Sequence, residues 1–350
     1  MCVHVCQQGE RAMPATEPVV GRAPCPDIRE GLDVVVAQVR RLTDRIQSFM
    51  FRHPDGGDLP AFSPGSHIEV EVTQRDGTHS RRSYSLVSDP KDRRAYEIAV
   101  LAEANGSGGS QYMHDRVVEG SRLRIWAPTN HFELDTRASK HLLIAGGIGI
   151  TPLMCMARWI RGRDQEIELH YCARTEQAMA YREEVSRIAP ASTHLYFDGG
   201  DSKRGVNLEA LLSKHQPGTA VYVCGPQPLI LAVIETCQRN GWPKEAVHYE
   251  FFAPPVVAAG SKKEFEVVLK RSNRTLRVPA EKTILDVLFD AGESPLHGCK
   301  TGDCGLCETG VVEGVPLHLD RVLSENEKQK GNVMCICVSR SETPKLVLDI

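Results

Sequence analysis

A chain of 350 residues exceeds one ordinary domain and implies two or three, each large enough to bury its own core. Hydrophobic residues at 41% and charged residues at 25% are a globular composition, and a net charge of −3 excludes a general attraction to nucleic acid or acidic membrane. No apolar run approaches the roughly eighteen residues of a membrane span, and the N-terminus lacks a basic segment followed by an apolar stretch; a cytoplasmic monomer with no nucleic-acid or membrane partner is therefore expected.

Residues 1–30 carry several prolines and no lasting hydrophobic period, and are expected to be a disordered extension. From residue 33 come six short β-rich runs, DVVVAQVRRL, IQSFMFR, HIEVEV, RSYSLVS, YEIAVL and RLRIWAP, separated by turn signals such as PDGGD, RDGT and SDPKD. This spacing predicts an antiparallel barrel or sandwich over a first domain, 31–136. Over 137–250 apolar strands alternate with amphipathic helices: HLLIAGG, PLMCMARWIRG, EIELHYCAR, a polar helix near 178–188, THLYFDG, LEALLSKH, AVYVCG and PLILAVIETCQRNG. That alternation predicts an α/β domain with a parallel, doubly wound sheet. Residues 251–263 are rich in Pro, Gly, Ala and Lys and are expected to be an interdomain linker. A third domain, 264–350, opens with a hairpin in FEVVLKR and RTLRVPA, continues with a helix in TILDVLFDAG and closes with a strand in KLVLDI.

Twelve cysteines in a chain without an export signal are expected to be reduced thiols. Cys155, Cys172, Cys224 and Cys237 sit singly among apolar residues, as small hydrophobes do. HGCKTGDCGLCETG differs, because Cys299, Cys304 and Cys307 fall in a C-x4-C-x2-C pattern. Thiolates this close can hold zinc or an iron–sulfur centre. Structural zinc usually pairs two C-x2-C knuckles, and the two-residue gap occurs here once, whereas C-x4-C-x2-C is the spacing of a plant-type [2Fe–2S] site. That site needs a distant fourth cysteine; VMCICVSR offers Cys335 and Cys337, two residues apart and so on one face of a strand. Gly298, Gly302 and Gly305 let the loop wrap closely. The thirteen histidines are scattered, form no HExxH and are expected to be mostly solvated or structural.

Two further motifs concern nucleotides. IAGGIGITP, 144–152, is a glycine-rich strand-to-helix turn that brings backbone to a phosphate, and VYVCGP, 221–226, ends a second strand at the expected ligand edge of the same sheet. In the first domain RRSYSL, 81–86, sets an arginine, an aromatic and two hydroxyls on a strand, and NGSGGSQYMHD then enters a helix with Ser110 as the expected N-cap. Together they suit a mononucleotide, with arginine and helix N–H groups on its phosphate and Tyr84 along its ring system.

In this order RxYS, GxGGS, GGIGITP and CGP resemble the ferredoxin–NADP reductase superfamily, and with the terminal cysteine pattern the chain from 33 to 350 is similar to the phthalate dioxygenase reductase family, which includes vanillate demethylase reductases. The resemblance implies FMN in the barrel, NADH on the doubly wound domain and a β-grasp (α+β) ferredoxin domain whose [2Fe–2S] cluster is held by Cys299, Cys304, Cys307 and Cys337. By position Arg82, Ser83, Tyr84 and Ser85 would bind flavin, Ala99, Val100 and Leu101 would line its ring edge, and Gly108, Gly109 and Ser110 would take its phosphate. Gly146, Gly147, Gly149, Thr151, Cys224, Gly225 and Pro226 would place the nicotinamide, with Thr151 and Cys224 as the candidate catalytic pair. Leu101 departs from relatives with lysine there, and no aromatic insertion follows RRSYSL to stack an adenine, which favours FMN over FAD. Arg174 could meet a 2′-phosphate that Glu176 would repel, and the family preference is NADH. The implied order is NADH, FMN, [2Fe–2S] and an outside acceptor, since flavin splits a hydride pair into single electrons. The expected function is the reductase component of a two-component Rieske non-haem iron oxygenase acting in aromatic oxidation or O-demethylation. The alternatives are a cytochrome P450 or diiron hydroxylase as acceptor, and a non-catalytic redox sensor.

Overall fold

The structure, a computed structural model, describes residues 31–104, 106, 108–252, 263–297, 300–302 and 305–350. The expected extension 1–30, residues 253–262 of the expected linker, and Cys299 and Cys304 lie outside the described residues.

The first domain carries β1 (Leu32–Arg41), β2 (Ile46–Arg52), β3 (Ser66–Thr73), β4 (His79–Ser85), β5 (Tyr96–Leu101), α1 (Gly109–Arg116), β6 (Arg122–Ile125) and the short β7 (Thr129–Asn130). The strands run antiparallel in the order β4-β3-β6-β1-β2-β5, and a bridge from Leu86 to Ile98 joins the two ends into a nearly closed barrel. Alternation drives this: Ile68, Val70 and Val72 of β3 point inward with Val34, Phe49, Ile98 and Ile125. Met113 on α1 joins that core and so pins the helix to the barrel.

The second domain follows with β8 (Lys140–Gly146), α2 (Ile150–Ile160), β9 (Glu166–Ala173), α3 (Arg182–Ile188), β10 (Thr193–Phe197), α4 (Leu208–Leu211), β11 (Thr219–Cys224), α5 (Gln227–Arg239) and β12 (Val247–Glu250). All strands are parallel, in the order β10-β9-β8-β11-β12. Strand order reverses at β8, with β9 on one side and β11 on the other, which opens a crevice at their carboxyl ends. The helix expected in LEALLSKH is a single turn, and β12 is a strand that the sequence reading left out.

The third domain contains β13 (Phe265–Leu269), β14 (Arg274–Val278), α6 (Ile284–Asp290), β15 (Glu308–Glu313), β16 (Pro316–Leu317), α7 (Glu325–Lys330), β17 (Val333–Cys335), β18 (Arg340–Ser341) and β19 (Lys345–Leu348). β13 and β14 form the expected hairpin, and β13 pairs parallel with the closing β19, as in a β-grasp. Thr283 and Asp286 cap α6 reciprocally, and Ile284, Leu285 and Leu288 bury against the sheet. No described helix is long and apolar enough to cross a membrane.

Candidate functional site

A cavity of about 910 Å³ opens between the barrel, the segment 130–137, the end of β12 and the loop at Thr301. Arg82, Ser83, Tyr84 and Ser85 of β4 line it, with Ala99 and Leu101 of β5. Val100 points the other way, into the barrel core. Burial pushes the Tyr84 hydroxyl well above its ordinary pKa, so the ring stays neutral.

Gly108, Gly109 and Ser110 bring the start of α1 to the same wall. Ser110 does not cap the helix as expected. It is the second helical residue, its Oγ accepts from the Glu103 N–H at 3.1 Å, and the N-cap is Gly108 at φ 105°. Glycine is required because the backbone there is left-handed and a Cβ would lie 2.7 Å from Arg75 Cγ. A Cβ on Gly109 would lie 3.2 Å from Arg82 Cγ, so the arginine runs along the helix start. Among the described residues no side chain caps the first N–H groups of α1. An uncapped helix N-terminus beside a guanidinium fits a phosphate group of the kind a flavin nucleotide carries.

On the second domain, Thr151 lines the cavity and its Oγ1 donates to the Ile148 carbonyl at 3.0 Å. Behind it the ends of β8 and β11 pack backbone against backbone: a Cβ on Gly149 would lie 2.3 Å from the Cys224 carbonyl oxygen, and one on Gly225 2.8 Å from Gly146 Cα. Cys224 is fully buried in the core, which pushes its thiol pKa far up and keeps it protonated. Gly146, Gly147, Gly149, Cys224, Gly225 and Pro226 thus form the turn behind the cavity, and the cavity wall itself carries Thr151. Arg174 is exposed just past β9, while Glu176 is ion-paired with Arg182.

In the third domain Cys307, Cys335 and Cys337 are buried together. Hydrogen bonds from Cys335 and Cys337 hold the Cys307 thiol well below its usual range. The two downstream cysteines do not share a strand face as expected, because β17 ends at Cys335 and Cys337 lies in the turn that follows. Both nevertheless reach Cys307. Gly302 and Gly305 are left-handed, and Gly302 is packed so tightly that a Cβ would lie 2.7 Å from Val338 Cγ2. Converging thiols under a glycine-rich loop are the soft donor set a [2Fe–2S] cluster takes.

That loop meets the barrel. Lys300 Nζ lies 2.9 Å from Glu69 Oε1 on β3, Arg81 lies 3.4 Å from the other Glu69 oxygen, and Ser83 of the cavity wall is the register partner of Glu69. Arg321 stacks over the Phe251 ring at 3.6 Å. The sequence reading missed the cavity wall formed by His248, Tyr249, Glu250, Phe251 and Phe252. The available signal was the aromatic run YEFF, which begins in the last two residues of β12 and runs past its end, with Phe251 buried in the core under α5 and not extended as linker.

Three family models match successive stretches of the chain. Residues 33–134 match the oxidoreductase FAD-binding domain, 127–247 the N-terminal domain of dimethylamine monooxygenase subunit DmmA-like proteins, and 267–342 the 2Fe-2S iron-sulfur cluster binding domain. The chain is 39% identical over 321 residues to a carnitine monooxygenase reductase subunit of Acinetobacter baumannii, covering 92% of this chain and 98% of that protein. It is 36% identical to a vanillate O-demethylase oxidoreductase of a Pseudomonas strain, covering 91% and 100%. Among solved structures, phthalate dioxygenase reductase superposes with a TM-score of 0.77 at 35% identity, covering 91% of this chain and 98% of that one.

Proposed function

Because this chain belongs to the phthalate dioxygenase reductase family, we propose that it is the NADH-dependent, FMN-containing reductase component of a two-component oxygenase, delivering single electrons from its [2Fe–2S] domain to a separate Rieske-type terminal oxygenase. One observation carries this reading: a single cavity is walled by the β4 strand, by Thr151 of the nucleotide-binding sheet and by Thr301 of the cysteine loop, so three modules face one space.

A bound flavin would supply the conversion between two-electron hydride chemistry and single-electron transfer. Arg82 and the first N–H groups of α1 would hold the phosphate, and Tyr84 would lie along the ring. No aromatic residue stands between β4 and β5 at 86–95 to stack an adenine, which supports FMN. Thr151, held by Ile148, would set the nicotinamide edge, with the Gly146–Gly149 turn and Cys224–Pro226 supporting it from behind. Half-buried Tyr249 and buried Phe251 add an aromatic side to the cavity. Cys299, Cys304, Cys307 and Cys337 are the proposed cluster ligands.

The test is anaerobic reduction by NADH and NADPH of the purified protein, followed by chromatographic identification of the extracted flavin and electron transfer to a purified Rieske oxygenase. FMN, a strong preference for NADH and turnover of the oxygenase are expected. FAD or an NADPH preference would overturn those assignments singly, and turnover only with a cytochrome P450 would overturn the acceptor.

A further inference from the structure

Away from the cavity, the parallel pairing of β9 and β10 sets His170 and His194 in register, one on each strand. Their rings stack with centroids 4.7 Å apart. Glu168 precedes His170 by two positions and so shares its face of the sheet. Its Oε1 lies 3.1 Å from His170 Nε2, and one ligand atom from each of the three side chains falls within 4.8 Å of the others. None of these residues belongs to the cavity or the thiol cluster.

We propose that Glu168, His170 and His194 form a binding site for a divalent transition cation of the zinc class, on the edge of the nucleotide-binding sheet. Two imidazoles and a carboxylate are a standard zinc donor set, and the fourth position is left to water. Two donors on one tetrahedral zinc lie roughly 3.3 Å apart, so the 3.1 Å gap between Glu168 and His170 already has the required scale. His194 is exposed on the edge strand and closes the set by rotating its ring. The surroundings orient the donors as metal sites require: Tyr196 hydroxyl lies 2.9 Å from His170 Nδ1, which directs Nε2 to the ion, and Lys140 holds Glu168 Oε2 at 2.5 Å, which leaves Oε1 to coordinate. Lys140 also opposes the charge of the ion and so limits the affinity.

Equilibrium dialysis of the intact holoprotein against micromolar Zn²⁺, with zinc and iron counted by elemental analysis, tests the site. One zinc per chain is expected at unchanged iron content. His194→Gln, at an exposed position that leaves folding intact, is expected to weaken zinc at least ten-fold, and Lys140→Gln to strengthen it. Absence of uptake by the parent, equal uptake by His194→Gln, or uptake matched by iron loss, which would place zinc at the cluster cysteines, would each overturn the proposal.

Discussion

Where the barrel meets the parallel sheet, Ile46, Val87 and Ala99 pack in one apolar cluster with Phe132, Leu153, Met156 and Ala157. Polar ties reinforce it: Arg158 donates to the Val87 carbonyl at 2.7 Å, and Tyr181 hydroxyl donates to Glu97 at 3.0 Å. Where the ferredoxin domain meets those two, its core stays its own, and the junction carries the Lys300–Glu69 ion pair and the Arg321–Phe251 stack. The first seam is built like a domain interior, and the second like a transient interface. The difference suits the two transfers. A hydride crosses only between atoms in contact, so its partners must be held rigidly. Single electrons must eventually leave for another protein, which a polar and releasable junction permits.

The largest predicted effect breaks the apolar seam. Phe132 is 2% exposed and meets Tyr222 edge-on, so Phe132→Ala is expected to lower stability by about 3–5 kcal/mol. Urea unfolding should show the barrel and sheet losing their common transition while the ferredoxin transition stays in place. Within the same rigid pair, Arg82→Ala would remove the proposed charge-assisted contact to the flavin phosphate, worth about 1.5–3 kcal/mol. The expected result is flavin binding weakened roughly ten- to hundred-fold, read by flavin fluorescence on dilution.

A pH dependence should also distinguish the two parts. His141 on β8 is fully buried, and burial pushes its pKa down to about 4. Between about pH 6.5 and pH 4 the unfolded chain therefore binds a proton that the folded one refuses, and stability falls as the pH drops, by on the order of 2 kcal/mol. His141→Leu should flatten that slope in thermal melts of the barrel–sheet unit and leave the ferredoxin transition unchanged.

The smallest effect lies at the polar seam. Burial pushes the Glu69 carboxyl pKa up, but Lys300 and Arg81 outweigh it and the net shift is downward. Its attraction is therefore complete above the ordinary glutamate value and lost as pH falls through the lowered one. Glu69→Gln is expected to slow the second electron step up to about five-fold, in line with an ion pair worth ~1 kcal/mol or less. It should also abolish that step's salt sensitivity while leaving the hydride step alone.

What the sequence revealed and concealed follows the same division. Alternation in HIEVEV and the repeat of apolar strands and helices are local signals, so the barrel and the parallel sheet were legible, as was the cysteine spacing. Ser110 misled because a hydroxyl at a helix start is the usual cap, and only the left-handed Gly108 moves that position back. β12 was hidden because four residues of a parallel strand carry no period, and the aromatic residues after it read as linker until Phe251 is seen buried. The Glu69–Lys300 pair joins positions more than two hundred residues apart, and no local pattern marks it. Cys335 and Cys337 were expected on one strand face, but the strand ends at Cys335, and the preference for Cys337 rests on the family resemblance alone.

The most direct test is anaerobic stopped-flow mixing of the holoprotein with NADH, following flavin and cluster absorbance together at low and high salt. The expected record is rapid flavin bleaching independent of salt, then cluster bleaching that slows as salt rises. A cluster that stays oxidised while the flavin is reduced would contradict the transfer order, and equal salt dependence of both phases would contradict the two-seam architecture.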